Sequence, residues 1–351
     1  MSLNVLKIFL PTVMAFFAGI SLTPFLTHYL YKHRMWKKKA GKISPDGKET
    51  IIFNQLHKNK EVGTPRMGGI IIWSSTLVTI FFFWIIYQLW PTPLTEKFNF
   101  LSRNQTWLPL FTLISASTIG LIDDWLQLKE YKDKVANGLA FKVRLLAVAL
   151  IGLVGGWWFF SKLGIDFIYL PLYGNWVIGF WIIPIFIAVV ISLFSSGVID
   201  GLDGLAGGIM AIIFTAYAGI AFFQNRIDLA AFCAVLAGAT LAFLWFNIPP
   251  ARFYMSETGM LGLTVTLAVI AFLTDSILFL PLIALPLLAT SLSVVIQLAS
   301  KKIRGRKVFL VAPLHHHFEA IGWPAYKVVM RYWIIGIVCS IIGMILVLLA
   351  R

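Results

Sequence analysis

Apolar residues along this chain run in blocks long enough to cross a bilayer, and polar residues gather between them. A spanning helix needs about 20 mostly apolar residues. Blocks of that size fall at 3–31, 69–90, 107–126, 139–160, 176–195, 205–223, 228–246, 258–274, 277–299 and 326–350. The pattern predicts an all-α polytopic integral membrane protein of about ten transmembrane helices, folded as a single transmembrane domain over residues 1–351. The break between the eighth and ninth blocks rests on Asp275 alone, and without it the termini would face opposite sides. The first block has its basic cluster after it and no small-residue cleavage site, so it reads as an uncleaved helix rather than a signal peptide. Between blocks, 91–106 contains Pro91 and Pro93 and predicts a short surface helix, while 161–175 predicts a small hairpin.

Composition agrees. Of 351 residues, 59% are hydrophobic and only 13% charged, about half the charge of a soluble domain. Cys233 and Cys339 lie inside apolar blocks, which argues against a disulfide framework or a thiolate metal site. The net charge of +14 would suit nucleic acid in a polar chain, but here Lys and Arg set topology and meet anionic headgroups. Nucleic acid is therefore excluded as a partner, and the lipid bilayer takes its place. Segments 32–66, 129–144, 247–257 and 300–331 hold 23 of the 29 Lys and Arg residues. By the positive-inside rule this face is cytoplasmic and both termini lie outside. The same face holds eleven of the fifteen carboxylates and three consecutive histidines, so it is where chemistry is expected.

The polar intervals on that face carry five constellations. The segment FSSGVIDGLDGLAGG sets Asp200 and Asp203 among glycines at the start of a helix, where free N–H groups favour phosphate. Its plain alternative is a turn with Asp203 as a helix cap. GTPRMGG, running from Gly63 through Thr64 to Gly69 before another helix, offers similar N–H groups near Lys58, Lys60 and Arg66. GLIDDW places Asp123 and Asp124 at the partly negative C-terminal end of their helix. Something cationic must offset them there, either a divalent ion or Lys129, Lys132 and Lys134. FNIPPARFYMSETG gathers Asn247, Tyr254 and Glu257, with Ser256 as a candidate cap. Finally, KKIRGRK precedes APLHHHFE, in which His315, His316 and His317 cannot all face one metal on a helix and read as donors to phosphate or base. Carboxylates, basic residues and phosphate-friendly helix starts beside lipid imply Mg²⁺-assisted chemistry on a diphosphate with a membrane-embedded partner.

Through GTPRMGG, GLIDDW, DGLDGLAGG, the WFN…YMSETG loop and APLHHHFEAIGW, in that order, the sequence resembles the phospho-N-acetylmuramoyl-pentapeptide transferases. These lie within the polyprenyl-phosphate N-acetylhexosamine-1-phosphate transferases, and the PLHHHFE block separates their branch from those that transfer N-acetylglucosamine-1-phosphate. The resemblance implies a homodimer in the bacterial inner membrane with its active site in a cytoplasmic cleft. It implies Mg²⁺-dependent transfer of phospho-MurNAc-pentapeptide from UDP-MurNAc-pentapeptide to undecaprenyl phosphate, giving lipid I and UMP. It also implies catalytic roles for Asp123, Asp124, Asp200 and Glu257, with Asp123 the base and Asp124 and Glu257 the metal ligands. Thr64, Gly201, Asp203, Asn247, Tyr254, Gln297, His315, His316 and His317 match substrate-binding positions, Tyr254 as the aromatic under uracil.

Three positions depart from that family's pattern. Gly197 stands where an asparagine is usual, Asn137 where a lysine precedes Gly138, and Met255, Ser256 and Glu257 replace an MGD triplet. Competing readings are the same chemistry on another UDP-sugar, and a non-catalytic homologue or lipid-carrier transporter.

Overall fold

The computed structural model describes residues 2–37, 62–102, 104–128 and 138–350. Lys58, Lys60, Lys129, Lys132, Lys134 and Asn137 lie outside these residues. In chain order the helices are α1 (Ser2–Lys32), α2 (Ile70–Leu89), α3 (Pro93–Phe98), α4 (Trp107–Leu128), α5 (Phe141–Lys162), α6 (Ile182–Ser195), α7 (Leu205–Phe223) and α8 (Ile227–Asn247). They continue with α9 (Ser256–Leu273), α10 (Leu280–Ile283), α11 (Leu285–Arg304), α12 (Leu314–Ala320) and α13 (Ala325–Leu349). Between α5 and α6, β1 (Phe167–Leu170) and β2 (Gly174–Val177) form an antiparallel hairpin with Phe167 opposite Val177. The expected short helix is α3, where Pro93 opens the first turn and Thr92 and Thr95 form a reciprocal cap.

The protein is an all-α polytopic membrane protein. Among the described residues, eight helices are long and apolar enough to cross a bilayer; of the remaining long ones, α4 carries Asp123 and Asp124, and α11 ends in Lys301, Lys302 and Arg304. The division at Asp275 is present: α9 ends at Leu273, Asp275 has a φ of 50°, and its carboxylate takes an Arg226 guanidinium at 2.8 Å. The ninth block departs from a single helix over 277–299. Pro281 and Pro286 each lack an N–H, the helix breaks at Ala284, and α11 then continues to Arg304, where Gly305 at φ +66° stops it.

Burial is graded from the inside out. Helix α9 is almost wholly buried, whereas α1 is mostly exposed or half-buried. A helix apolar on every side belongs at the centre of a bundle, and α9 is enclosed by α4, α6 and parts of α2 and α7. Two glycines meet the backbone at the start of α9. A Cβ on Gly120 of α4 would lie 2.1 Å from the Glu257 carbonyl oxygen, and one on Gly69 would lie 2.3 Å from the Gly259 nitrogen. The glycines of GLIDDW and GTPRMGG are therefore the surfaces on which the start of α9 rests.

Because backbone stands opposite Gly120, Gly120→Ala forces α4 away from α9. The expected cost is about 1–3 kcal/mol, read as a lower unfolding temperature of the detergent-purified protein.

Candidate active site

The first turn of α9 organises the site. A helix start presents N–H groups without intrahelical partners and a partial positive charge. Here carboxylates from two other segments take them: Ser256 N–H donates to Asp200 Oδ2 at 2.8 Å, and Thr258 N–H donates to Asp124 Oδ2 at 2.9 Å. Thr258 Oγ1 adds a second donor to that oxygen at 2.6 Å. Asp124 thus sits badly on its own helix and well on the neighbouring one.

Ser256 does not cap α9 through its side chain, contrary to expectation. It adopts φ +58°, the left-handed region where glycine is comfortable and serine is not. In that conformation its Oγ accepts from Arg66 Nε at 3.3 Å. The same guanidinium places Nη2 3.2 Å from Asp124 Oδ1, an ion-pair distance without hydrogen-bond alignment.

Asp123, fully buried, is held at both oxygens. Leu139 N–H donates to Oδ1 at 2.6 Å, while Gln127 Nε2 at 2.8 Å and Arg144 Nη1 at 3.2 Å reach Oδ2. Gly138, at φ +66°, stands against Oδ1, where a Cβ would come within 2.5 Å. Arg144 Nη1 also donates to Glu257 Oε1 at 2.8 Å, so one guanidinium nitrogen bridges the base candidate and the metal-ligand candidate. Among the described residues, Arg66 and Arg144 supply cationic compensation to this pair. Sequence reasoning missed Arg144 and Thr258. The signal was present, since a lone arginine near the start of an apolar helix needs an acidic partner.

The DGLDG turn faces the same loop. Asp203 does not cap α7: that position is Gly204, in left-handed conformation, with no side-chain cap. Instead Asp203 Oδ2 accepts from Ala251 N–H at 3.2 Å. Asn247 Oδ1 accepts from Gly204 N–H at 3.0 Å, and its Nδ2 donates to the Phe253 carbonyl at 2.8 Å. Asn247 therefore pins the 248–255 loop to the DGLDG turn. Tyr254 joins that loop to GTPRMGG, its N–H donating to Pro65 O and its carbonyl accepting from Gly68 N–H, both at 2.8 Å. Gly69 N–H is taken by Met255 O at 3.2 Å. The N–H groups expected to cradle phosphate at Gly68 and Gly69 are thus used by the protein itself. Thr64 is half-buried beside Pro65.

His315 and His316 are buried on α12, their rings 4.2 Å apart. They dock against Gly201, where a Cβ would lie 2.4 Å from His315 Nε2 and 3.0 Å from His316 Nε2. His316 Nδ1 lies 2.7 Å from Glu319 Oε2, and His317 Nδ1 accepts from Leu310 N–H at 3.3 Å. Gln297 holds the preceding loop, accepting from Val308 and Phe309 N–H at 3.0 Å and donating to Phe309 O at 2.9 Å. The structure thus brings Asp123, Asp124, Asp200 and Glu257 around one helix start, with the histidines on the DGLDG turn. Gln297 serves the 308–309 segment.

A family model described as glycosyl transferase family 4 matches residues 106–275, which include all four of those carboxylates. The chain is a membrane phosphotransferase of that class. It is 33% identical, over 95% of its length and 88% of the relative, to the phospho-N-acetylmuramoyl-pentapeptide-transferase of Chloroflexus aggregans. Proteins of the same name from a Geobacillus species and from Caldanaerobacter subterraneus are 35% and 32% identical, covering 81% and 96% of this chain and 84% and 98% of the relatives. The chain belongs to the phospho-N-acetylmuramoyl-pentapeptide-transferase family.

Thr258→Val keeps the shape of the side chain but takes one of two donors from Asp124 Oδ2. Leaving a buried carboxylate short of a donor costs about 1–3 kcal/mol. Thermal unfolding in detergent should show that loss, with Thr258→Ser retaining most of the wild-type stability.

Proposed function

We propose that the chain transfers phospho-MurNAc-pentapeptide from UDP-MurNAc-pentapeptide to undecaprenyl phosphate, forming lipid I and UMP. The relatives' shared name supports the reaction class, and one observation carries the site: Asp123, Asp124, Asp200 and Glu257 converge on the first turn of α9. A phosphate oxygen of the lipid attacks the β-phosphorus of the nucleotide sugar. A new P–O bond forms as the bond to the bridging oxygen breaks, and UMP leaves. Asp123 takes the proton of the lipid phosphate, and Arg144 holds that carboxylate in position. Asp203, Gly201, Asn247 and Tyr254 form the uridine side, with Tyr254 stacking on the base. Thr64, Gln297, His315, His316 and His317 line the remainder.

The donor set fits Mg²⁺. Among the described residues no group of three His, Cys, Asp or Glu side chains is arranged to cage a metal. Mg²⁺ is commonly held by only one or two carboxylates together with substrate phosphates. Asp124 Oδ1 is buried without a hydrogen bond, and the Glu257 side chain is 28% exposed. These two residues would hold the ion, which when bound supplies charge neutralisation to the diphosphate. The site lies in the cytoplasmic half of a ten-span fold in the bacterial inner membrane, with both termini outside and two copies forming a homodimer. The basic residues that flank it support this orientation.

UMP release by purified protein with undecaprenyl phosphate and Mg²⁺ tests the proposal. Release is expected with UDP-MurNAc-pentapeptide and not with UDP-GlcNAc. Release with the second donor would move the chain to the N-acetylglucosamine branch. Absence of release with either, from protein that still binds uridine nucleotides, would favour a non-catalytic homologue. Asp123→Asn is expected to lower turnover at least about 100-fold, and unchanged UMP release would remove the proposed base.

A further inference from the structure

Arg144 occupies a position that no role above explains fully. Its Nη1 is shared between Asp123 Oδ2 at 3.2 Å and Glu257 Oε1 at 2.8 Å, and its Nε is buried without a hydrogen bond. The guanidinium is therefore held through its hydrogen bonds at Nη1. Four carboxylates, Asp123, Asp124, Asp200 and Glu257, gather at this helix start beside two guanidiniums, Arg66 and Arg144. Glu257 Oε1, the oxygen a divalent cation would take, is already occupied by Arg144 Nη1. A cation placed there while Arg144 stays puts two positive groups on one carboxylate oxygen. Such close approach of like charges is costly where the effective dielectric is low.

We propose that Arg144 is a built-in counter-ion that competes with the divalent cation for Glu257, so that metal binds only as Arg144 gives up its hydrogen bond there. Arg144 thereby sets the metal affinity of the site and ties metal capture to the arrival of the negatively charged diphosphate, which gives the displaced guanidinium a new anionic partner. This inference rests on the metal reading given under the proposed function. It departs from a purely positioning role for Arg144. A positioning residue strengthens metal binding by ordering Glu257, whereas a competitor weakens it. Two cations on one carboxylate repel more than a single ordered side chain saves, which favours competition.

The residue at 257 shapes this competition. Glutamate reaches one methylene further than aspartate, and it is that reach which brings Oε1 onto Arg144. Glu257→Asp keeps the charge and withdraws it from the guanidinium. Both Arg144→Gln and Glu257→Asp should therefore free the carboxylate for metal.

The test is titration of the full-length protein in detergent with Mn²⁺, followed by loss of the free-ion electron paramagnetic resonance signal, without substrate and without turnover. Arg144→Gln is expected to tighten Mn²⁺ binding about tenfold, and Glu257→Asp to tighten it in the same direction. Arg144→Lys, which keeps the charge, should stay within about threefold of wild type. In a Glu257→Gln background the effect of Arg144→Gln should vanish. Unchanged or weaker Mn²⁺ binding by both Arg144→Gln and Glu257→Asp overturns the competition. If Arg144→Gln does not fold, Glu257→Asp and Arg144→Lys decide it alone. Saturable binding by wild type that is lost in Glu257→Gln upholds the metal site independently of Arg144. No saturable binding by folded wild type overturns the metal reading itself and this inference with it.

Discussion

The start of α9 is the constraint on which the rest of the site depends. A fully enclosed helix must begin somewhere, and its first N–H groups cannot be left dry in a membrane protein. Here the partners are carboxylates on two segments distant in sequence, Asp200 and Asp124. Each connection does two things. It satisfies a helix end, and it fixes a carboxylate close to Glu257 at the edge of the apolar interior. The glycines of GLIDDW and GTPRMGG then have a physical reason, because the contacts at Gly120 and Gly69 leave no room for a Cβ.

That arrangement concentrates negative charge, and the chain answers with arginine rather than lysine. A guanidinium has several donors in a rigid fork and remains charged when partly buried. Arg66 uses its fork on Asp124 and Ser256, and Arg144 uses one nitrogen on both Asp123 and Glu257. Removing one partner of such a group leaves the others uncompensated, so substitutions here are not expected to be additive. The cluster is one electrostatic unit assembled from α4, α5, α9 and the segment before α2.

Most of the architecture was legible in the sequence because bilayer thickness sets a length scale that apolar runs reveal directly. Even the break at Asp275 could be read, since a carboxylate there needs a turn and a partner, and finds Arg226. The helix break at Ala284 was less legible, although Pro281 and Pro286 were the sign of it. Within the site, the motifs identified the residues but not their partners. Local sequence offers Ser256 as a candidate cap of its own helix, and a cap as the plain alternative for Asp203, because capping is a local rule. The structure turns Asp203 to Ala251, and it turns the Ser256 side chain to Arg66 and its N–H to Asp200. Pairing across the bundle is decided by helix packing, which local sequence does not contain.

Ser256 and Glu257 stand where the sequence resemblance implies glycine and aspartate, and the structure shows how the backbone accommodates them. At φ +58°, serine carries a conformational cost of about 1–2 kcal/mol that glycine would avoid. The conformation persists because the turn is fixed at two points: Asp200 takes the Ser256 N–H, and Asp124 takes the Thr258 N–H and hydroxyl two residues on. With the backbone held at both ends, the added methylene of Glu257 cannot be absorbed by moving the helix. It must be absorbed by the side chain, which extends to Arg144. The serine and the glutamate are thus linked departures, one tolerated by the surrounding hydrogen bonds and the other redirected by them. What changes between aspartate and glutamate at this position is therefore the counter-ion the carboxylate meets.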